Sequence, residues 1–201
     1  MKRRLFVIII LLSCGIIKAQ HDSTIVLLSD IDSTIVQDVK YATADNFTGK
    51  VLYPTGKVYL RKIVAEKLAE ANAYLKQKYG LRIKIFDGYR PRSVQWKMWE
   101  VYPVDGFVAN PAKGSKHNRG AAVDITIIDH NGNELEMGTP YDTFSEKAHF
   151  ASHDISRKAR ENRDLLRNVM AKFEFRGIST EWWHFDYLDW RNYSLLDIPI
   201  R

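Results

Sequence analysis

Apolar and polar positions change their spacing several times along this chain, and each change predicts an element. Thr34 to Tyr41 reads as a first strand. Between Tyr59 and Tyr79 the apolar Val64, Leu68, Ala71 and Leu75 recur at helical spacing among charged positions, and Gly80 supplies a stop, so this stretch is expected to be a helix. Leu81 to Phe86 reads as a short strand, and Ser93 to Tyr102 as a helix closed by Pro103, with Trp96 and Trp99 on one side facing the core. The polar loop from Pro111 to Gly120 runs into a strand-like stretch from Ala121 to Ile128, broken by Asp129 and an Asn131-Gly132 turn. Ser156 to Phe173 repeats the helical pattern with Asn162, Leu166, Val169 and Phe173, and Thr180 to Leu188 reads as the last strand. Strands interleaved with a few helices, several of them late in the chain, point to an α+β fold, a small antiparallel sheet flanked by helices, rather than a doubly wound parallel one.

The first residues have a different character. Lys2, Arg3 and Arg4 precede an unbroken apolar run from Leu5 to Leu12, and Ile17-Lys18-Ala19 ends on a small residue, the pattern of a cleavable signal peptide over residues 1–19. The run is shorter than the roughly 20 residues of a membrane span, so no span is expected in the mature protein. Leu11-Leu12-Ser13-Cys14 offers a second reading, a lipobox whose cysteine carries a lipid anchor, although the apolar Ile16-Ile17 after it fits that poorly. Residues 20–33 read as a linker or N-terminal edge segment, and 34–201 as one catalytic domain. The pentapeptide Asp-Ser-Thr-Ile-Val occurs at Asp22 and again at Asp32, too short and too few to define a repeat architecture.

Composition then narrows the chemistry. With 201 residues, 45% hydrophobic and 27% charged, the chain can bury one ordinary core. The formal charge of +6 misleads: residues 1–19 hold four of the 30 basic residues and none of the 24 acidic ones, leaving +2 after cleavage, which gives no reason to expect nucleic acid as a partner. Cys14 is the only cysteine, so the mature domain has no disulfide and no thiolate. Any metal must sit on His, Asp or Glu.

Two places suggest such a site. His117 stands in a loop seven residues before Asp124, which interrupts an apolar strand and needs a partner for its charge. Glu181-Trp182-Trp183-His184-Phe185 sets two polar side chains in an aromatic run, and on a regular strand Glu181 and His184 would face opposite ways, so a bend between them is expected. Two imidazoles and one carboxylate suit a catalytic zinc with an open fourth position, leaving Glu181 to take a proton from a water that zinc has acidified to a pKa of about 7. Arg90, in the turn Asp87-Gly88-Tyr89-Arg90-Pro91, has two readings: a cation that stabilises an oxyanion, or the ion-pair partner of Asp87. Of Trp182 and Trp183, one is expected in the core and one at the pocket wall.

In Ser115-Lys116-His117-Asn118-Arg119-Gly120-Ala121-Ala122-Val123-Asp124 and Glu181-Trp182-Trp183-His184 the chain resembles the D-alanyl-D-alanine dipeptidases of the zinc D,D-peptidase superfamily. The resemblance extends through Tyr41 to Gly49, Asp87 to Pro91 and Met137 to Asp142. It implies a zinc D,D-peptidase, hedgehog-like fold and one zinc ion per chain, held by His117, Asp124 and His184. It further implies Glu181 as general base and acid, Arg90 as stabiliser of the tetrahedral intermediate, and Asp142 and Ser115 as groups that hold the substrate, D-Ala-D-Ala. Taken alone, Asp142 could equally be a turn residue or helix cap. An export signal argues for salvage of D-alanine from wall fragments rather than glycopeptide resistance, which acts inside the cell. Two alternatives remain: a D,D-carboxypeptidase or endopeptidase acting on peptidoglycan stem peptides, and a zinc-containing module that binds wall peptides without cutting them. His21, His130, His149 and His153 have no motif around them and read as surface residues.

Overall fold

A computed structural model describes residues 24–104 and 106–201; the expected signal peptide, Cys14 and His21 lie outside the described residues. In chain order the elements are strand β1 (Ile25–Leu27), the short helix α1 (Leu28–Ile31), β2 (Val36–Gln37), β3 (Tyr59–Arg61), helix α2 (Lys62–Tyr79), β4 (Arg82–Asp87), α3 (Arg92–Val101), β5 (Ala122–Ile128), α4 (Arg157–Lys172), β6 (Phe175–Gly177) and β7 (His184–Tyr187). The main sheet has the order β2-β4-β5-β7-β6, and β1 pairs with β3 in a separate two-stranded ribbon.

This is the expected α+β fold with helices against one sheet, and it differs in one respect. The sheet is mixed rather than wholly antiparallel, because β2 runs parallel to β4. The chain between them makes a long crossover through β3 and α2, and such a connection returns the next strand in the same direction. Every other neighbouring pair in the main sheet is antiparallel.

Helix α2 buries Val64, Leu68, Ala71 and Leu75, the residues whose spacing predicted it, and ends on Gly80 in the left-handed conformation. It starts at Lys62 rather than Tyr59, because Tyr59 to Arg61 are taken by pairing with β1. The polar Asn72 ties the layers together: its amide donates to Asp32 and Thr34, and its oxygen accepts from the backbone of Ile83. Helix α4 is capped by Ser156, whose hydroxyl accepts from the Ala159 amide. All seven residues of β5 are buried, so it is covered on both faces, which explains why it reads as a continuous apolar run around Asp124.

Three expectations need correction. The first strand is only Val36–Gln37; the chain then turns through a tight helical turn at Lys40–Ala42 that buries Tyr41 beneath the site. On α3 the buried residues are Val94, Gln95 and Met98, so Trp96, about 150° round the helix from the middle of that face, is exposed, and only Trp99 packs against the core. The last strand begins at His184 instead of Thr180, since the backbone bends at Trp182 and Trp183.

The strand register creates the site. Asp87 of β4 stands opposite Asp124 of β5, and Asp124 stands opposite His184 of β7. A bulge between Ile85 and Asp87 shifts the end of β4 and completes this row of polar residues across three strands.

Candidate metal centre

Three donor atoms converge at the end of that row. His184 Nδ1 lies 3.0 Å from Asp124 Oδ1 and 3.2 Å from His117 Nε2, and His117 Nε2 lies 3.4 Å from Asp124 Oδ1. Donors placed tetrahedrally at roughly 2.0 Å from one zinc ion are about 3.3 Å apart, so the spacing suits that ion without rearrangement. Among the described residues, this is the group of His, Asp and Glu side chains that could hold a metal.

The outer contacts aim these atoms inward. His117 Nδ1 donates to the Gly88 carbonyl at 2.7 Å, and His184 Nε2 donates to Asp186 Oδ1 at 2.8 Å, so each ring turns its other nitrogen toward the centre. Tyr141 donates to the second oxygen of Asp124 at 3.0 Å. Gly88 can offer its carbonyl there because a Cβ would lie 2.7 Å from Val58 and 3.1 Å from the Tyr59 carbonyl. His117 itself sits in a tight turn that ends at Gly120 in the left-handed conformation.

Charge follows the same geometry. Burial alone would lower the pKa of His184, but hydrogen bonds to Asp124 and Asp186 raise it to about 10, and Asp124 is held well below the usual carboxylate range by His117 and His184 despite its burial. This cluster demands a positive charge at its centre, supplied by a proton or by a metal that displaces it.

Glu181 sits just before the bend, its carboxylate oxygen 3.9 Å from His184 Nδ1. The bend at Trp182 and Trp183, held by Trp182 N to Ala148 O and Ile125 N to Trp183 O, lets Glu181 and His184 face one cavity, as their spacing required. Burial pushes the Glu181 carboxyl up to about 7, where a base can exchange protons near neutral pH. Trp183 lines the cavity, and Trp182 turns away to donate to Thr139.

Arg90 is the ion-pair partner of Asp87, as one reading had it, and it also lines the cavity. Its Nε and Nη2 donate to one oxygen of Asp87 at 3.0 and 2.6 Å, its Nη1 donates to Gln95, and the guanidinium still lines the cavity, 4.0 Å from Asp124. Asp87 is fixed in turn by Tyr53 and the Gly88 amide, so the cation is rigidly placed.

The cavity holds about 250 Å³ and is walled by Phe47, Phe107, Phe144 and Trp183. That is below the usual range for drug-sized ligands and suits a small molecule. Ser115 and Asp142 both line it. The Ser115 hydroxyl accepts from the Asn118 amide and so also shapes the turn that carries His117. His130 and His153 are exposed, His149 is half-buried, and none of the three lines the cavity.

Asp142 has a positive φ of 55° and accepts from Tyr41 at 2.8 Å. Burial first, and then the charge of Asp124, push its carboxyl up to about 8. A carboxyl whose pKa rises on folding binds more protons folded than unfolded, so it lowers stability increasingly as pH climbs from its unfolded value near 4 toward 8. Asn keeps the acceptor for Tyr41 and tolerates positive φ. Asp142→Asn is therefore expected to raise the melting temperature of the zinc-free protein at pH 7 and above, and to leave it nearly unchanged at pH 4. Thermal melts across that range check this; a gain equal at both ends would mean that the Asp142 charge is not the cause.

Several participants escaped the sequence. Tyr141, Gln95 and the Gly88 carbonyl are brought in only by folding. Asp186 left a legible signal, since residues two apart on a strand share a face and His184-Phe185-Asp186 pairs an imidazole with a carboxylate.

Comparison with known proteins shows the family. The model of peptidase family M15, described as D-ala-D-ala dipeptidase, matches residues 22–195. A D-alanyl-D-alanine dipeptidase of Escherichia coli K12 is 38% identical over 159 residues, covering 79% of this chain and 82% of that protein. One from Enterococcus faecium is 33% identical over 200 residues, covering 87% and 96%. A solved vancomycin-resistance D,D-dipeptidase, VanXYg bound to a D-Ala-D-Ala phosphinate analog, is more distant, with 17% identity and a TM-score of 0.40 over 82% of this chain and 66% of that one.

Proposed function

This chain belongs to the D-Ala-D-Ala dipeptidases of peptidase family M15, and from that premise we propose that it hydrolyses D-alanyl-D-alanine to two molecules of D-alanine, with zinc held by His117, Asp124 and His184. The observation that carries the reading is the convergence of three metal-donor atoms within 3.4 Å of one another beside the carboxylate of Glu181.

Zinc, when bound, supplies a Lewis acid that acidifies water and polarises a peptide carbonyl. Glu181 takes the proton of the attacking water, and returns it to the amine that leaves when the peptide bond breaks. Burial raises its carboxyl to about 7, in the range where a group can both accept and release a proton near neutral pH. Arg90, fixed by Asp87 and Gln95, offers its remaining N–H groups to the oxygen that gains negative charge. Asp142 meets the free ammonium of the dipeptide, and that ammonium draws the Asp142 carboxyl into its ionised form. Ser115, on the cavity wall, contacts the substrate backbone.

The small cavity supports a preference for dipeptides. A longer peptide would replace the ammonium with a neutral amide beside Asp142 and would need room beyond the aromatic wall of Phe47, Phe107 and Phe144. Release of D-alanine from D-Ala-D-Ala and from a tripeptide ending in D-Ala-D-Ala, each with zinc and after chelation, tests this. Zinc-dependent turnover of the dipeptide alone is expected. Turnover of the tripeptide would make the enzyme a carboxypeptidase, and turnover of neither would make it a binding module.

The basic and apolar residues 1–19 support export and periplasmic salvage of D-alanine from cell-wall fragments, with removal of a signal peptide after Ala19. N-terminal sequencing of the protein from a periplasmic fraction is expected to begin at Gln20. A lipid-modified Cys14 in the membrane fraction would instead mark an anchored form.

A further inference from the structure

A dipeptide is a zwitterion, and the dipeptidase reading so far gives a partner to only one of its two charged ends. Asp142 meets the ammonium. The carboxylate is left inside a cavity whose other acidic groups, Asp124 and Glu181, repel it.

Apart from the two histidines of the metal centre, two side chains in the cavity lining carry positive charge, Arg90 and Lys116. Arg90 is already committed. Two of its nitrogens hold Asp87, the third holds Gln95, and its remaining N–H groups lie near Asp124 on the metal side. Lys116 is different. Its ammonium is 3.3 Å from Asp186 Oδ2 and 5.4 Å from the centre of the Trp190 ring, and its side chain is 36% exposed. An ammonium has three donors, and Asp186 takes one, so two remain for a ligand.

The two poles of the cavity are joined to the metal centre through different ligands. Asp142 connects to Asp124 through the hydroxyls of Tyr41 and Tyr141, in steps of 2.8, 3.3 and 3.0 Å. Lys116 connects to His184 through Asp186, in steps of 3.3 and 2.8 Å. Asp142 and Lys116 both line the cavity and connect to different metal donors, so a zwitterion whose peptide carbonyl sits at the metal centre has an anion to one side and a cation to another. Lys116 is also the residue immediately before His117, so the backbone turn that delivers a metal donor carries this cation to the same cavity.

Resting on the dipeptidase reading above, we propose that Lys116 binds the C-terminal carboxylate of the substrate and makes the enzyme select a free carboxylate over a neutral C-terminus. Its contact with Asp186 holds the ammonium in place.

The test compares D-Ala-D-Ala with D-alanyl-D-alanine amide, which has the same shape and no carboxylate charge, on the zinc enzyme and on Lys116→Met and Lys116→Arg. The wild type is expected to favour the acid over the amide. In Lys116→Met the KM for the acid should rise about 10- to 100-fold, the range for loss of one charge-assisted hydrogen bond, with kcat changed less than about threefold and the amide unaffected. Lys116→Arg should recover most of the preference. Calorimetric titration of D-Ala-D-Ala into the zinc-loaded Glu181→Gln protein should show the same loss of affinity when Lys116→Met is added. If Lys116 served only to hold Asp186, the variant would lose zinc affinity and kcat while keeping its preference for the acid, and that result would overturn the proposal. A wild-type enzyme that hydrolyses the dipeptide with an acid-to-amide preference unchanged in Lys116→Met would overturn this inference alone, whereas a wild type that cleaves neither compound would overturn the dipeptidase reading with it.

Discussion

Glu181→Gln is expected to lower kcat on D-Ala-D-Ala by about 10³-fold, with zinc still bound at one ion per chain. The amide is nearly isosteric with the carboxylate, so the bend at Trp182 and Trp183 and the packing of the cavity should survive. What is lost is the ability to accept a proton from water and give it to the leaving amine, a contribution of typically 10² to 10⁴ in rate. The donor set of His117, Asp124 and His184 is untouched, so zinc content measured by atomic absorption serves as the control. KM should change little, because Asp142 and Lys116, proposed above to meet the two charged ends of the substrate, remain. A variant that keeps a tenth or more of the wild-type kcat would remove Glu181 from the proton-transfer role.

Zinc should also stabilise the fold, by more than any single side chain at the site. Without it, two imidazoles and a carboxylate converge within 3.4 Å, and the charge of Asp124 is offset by its imidazole neighbours and by the Arg90 guanidinium 4.0 Å away. A ligand present at a thousand times its dissociation constant adds about 4 kcal/mol to folding stability. For a domain of this size that corresponds to a rise in melting temperature of roughly 8 to 16 °C. Asp186→Asn should reduce zinc affinity by about 10- to 100-fold, because it weakens the hydrogen bond that turns His184 Nδ1 toward the centre. Scanning calorimetry with and without chelator, and competition against a chromophoric chelator, measure both effects. An unchanged melting temperature on chelation would mean that these three residues do not hold the metal.

Much of this protein was legible before folding. The spacing of Val64, Leu68, Ala71 and Leu75 specifies α2, because a helix has one buried stripe and these residues fill it. The buried run of β5 is equally plain, and a single aspartate inside it marks a charge that needs a partner. His117, Asp124, Glu181 and His184 were identifiable as a group by residue type and local motif. Even the bend after Glu181 could be foreseen, since a strand's period of two would otherwise separate Glu181 from His184.

Tertiary structure decided the rest, for a consistent reason: those features depend on which distant segments come into register. Trp96 was expected in the core and is exposed, because the face that α3 buries is set by what it packs against. The parallel pairing of β2 with β4 comes from the path of the crossover, and β1, β3 and β6 are too short to leave a periodic signal. Tyr141 meets Asp124 across 17 residues, and Lys116 meets Asp186 across 70. The sequence by itself thus marked the candidate metal donors, the carboxylate proposed as base and much of the burial pattern, because residue type and local period carry that information. Only the tertiary structure determined the outer contacts and the charged poles of the cavity, because hydrogen bonds between remote segments exist only once the strands have aligned Asp87, Asp124 and His184 in one row.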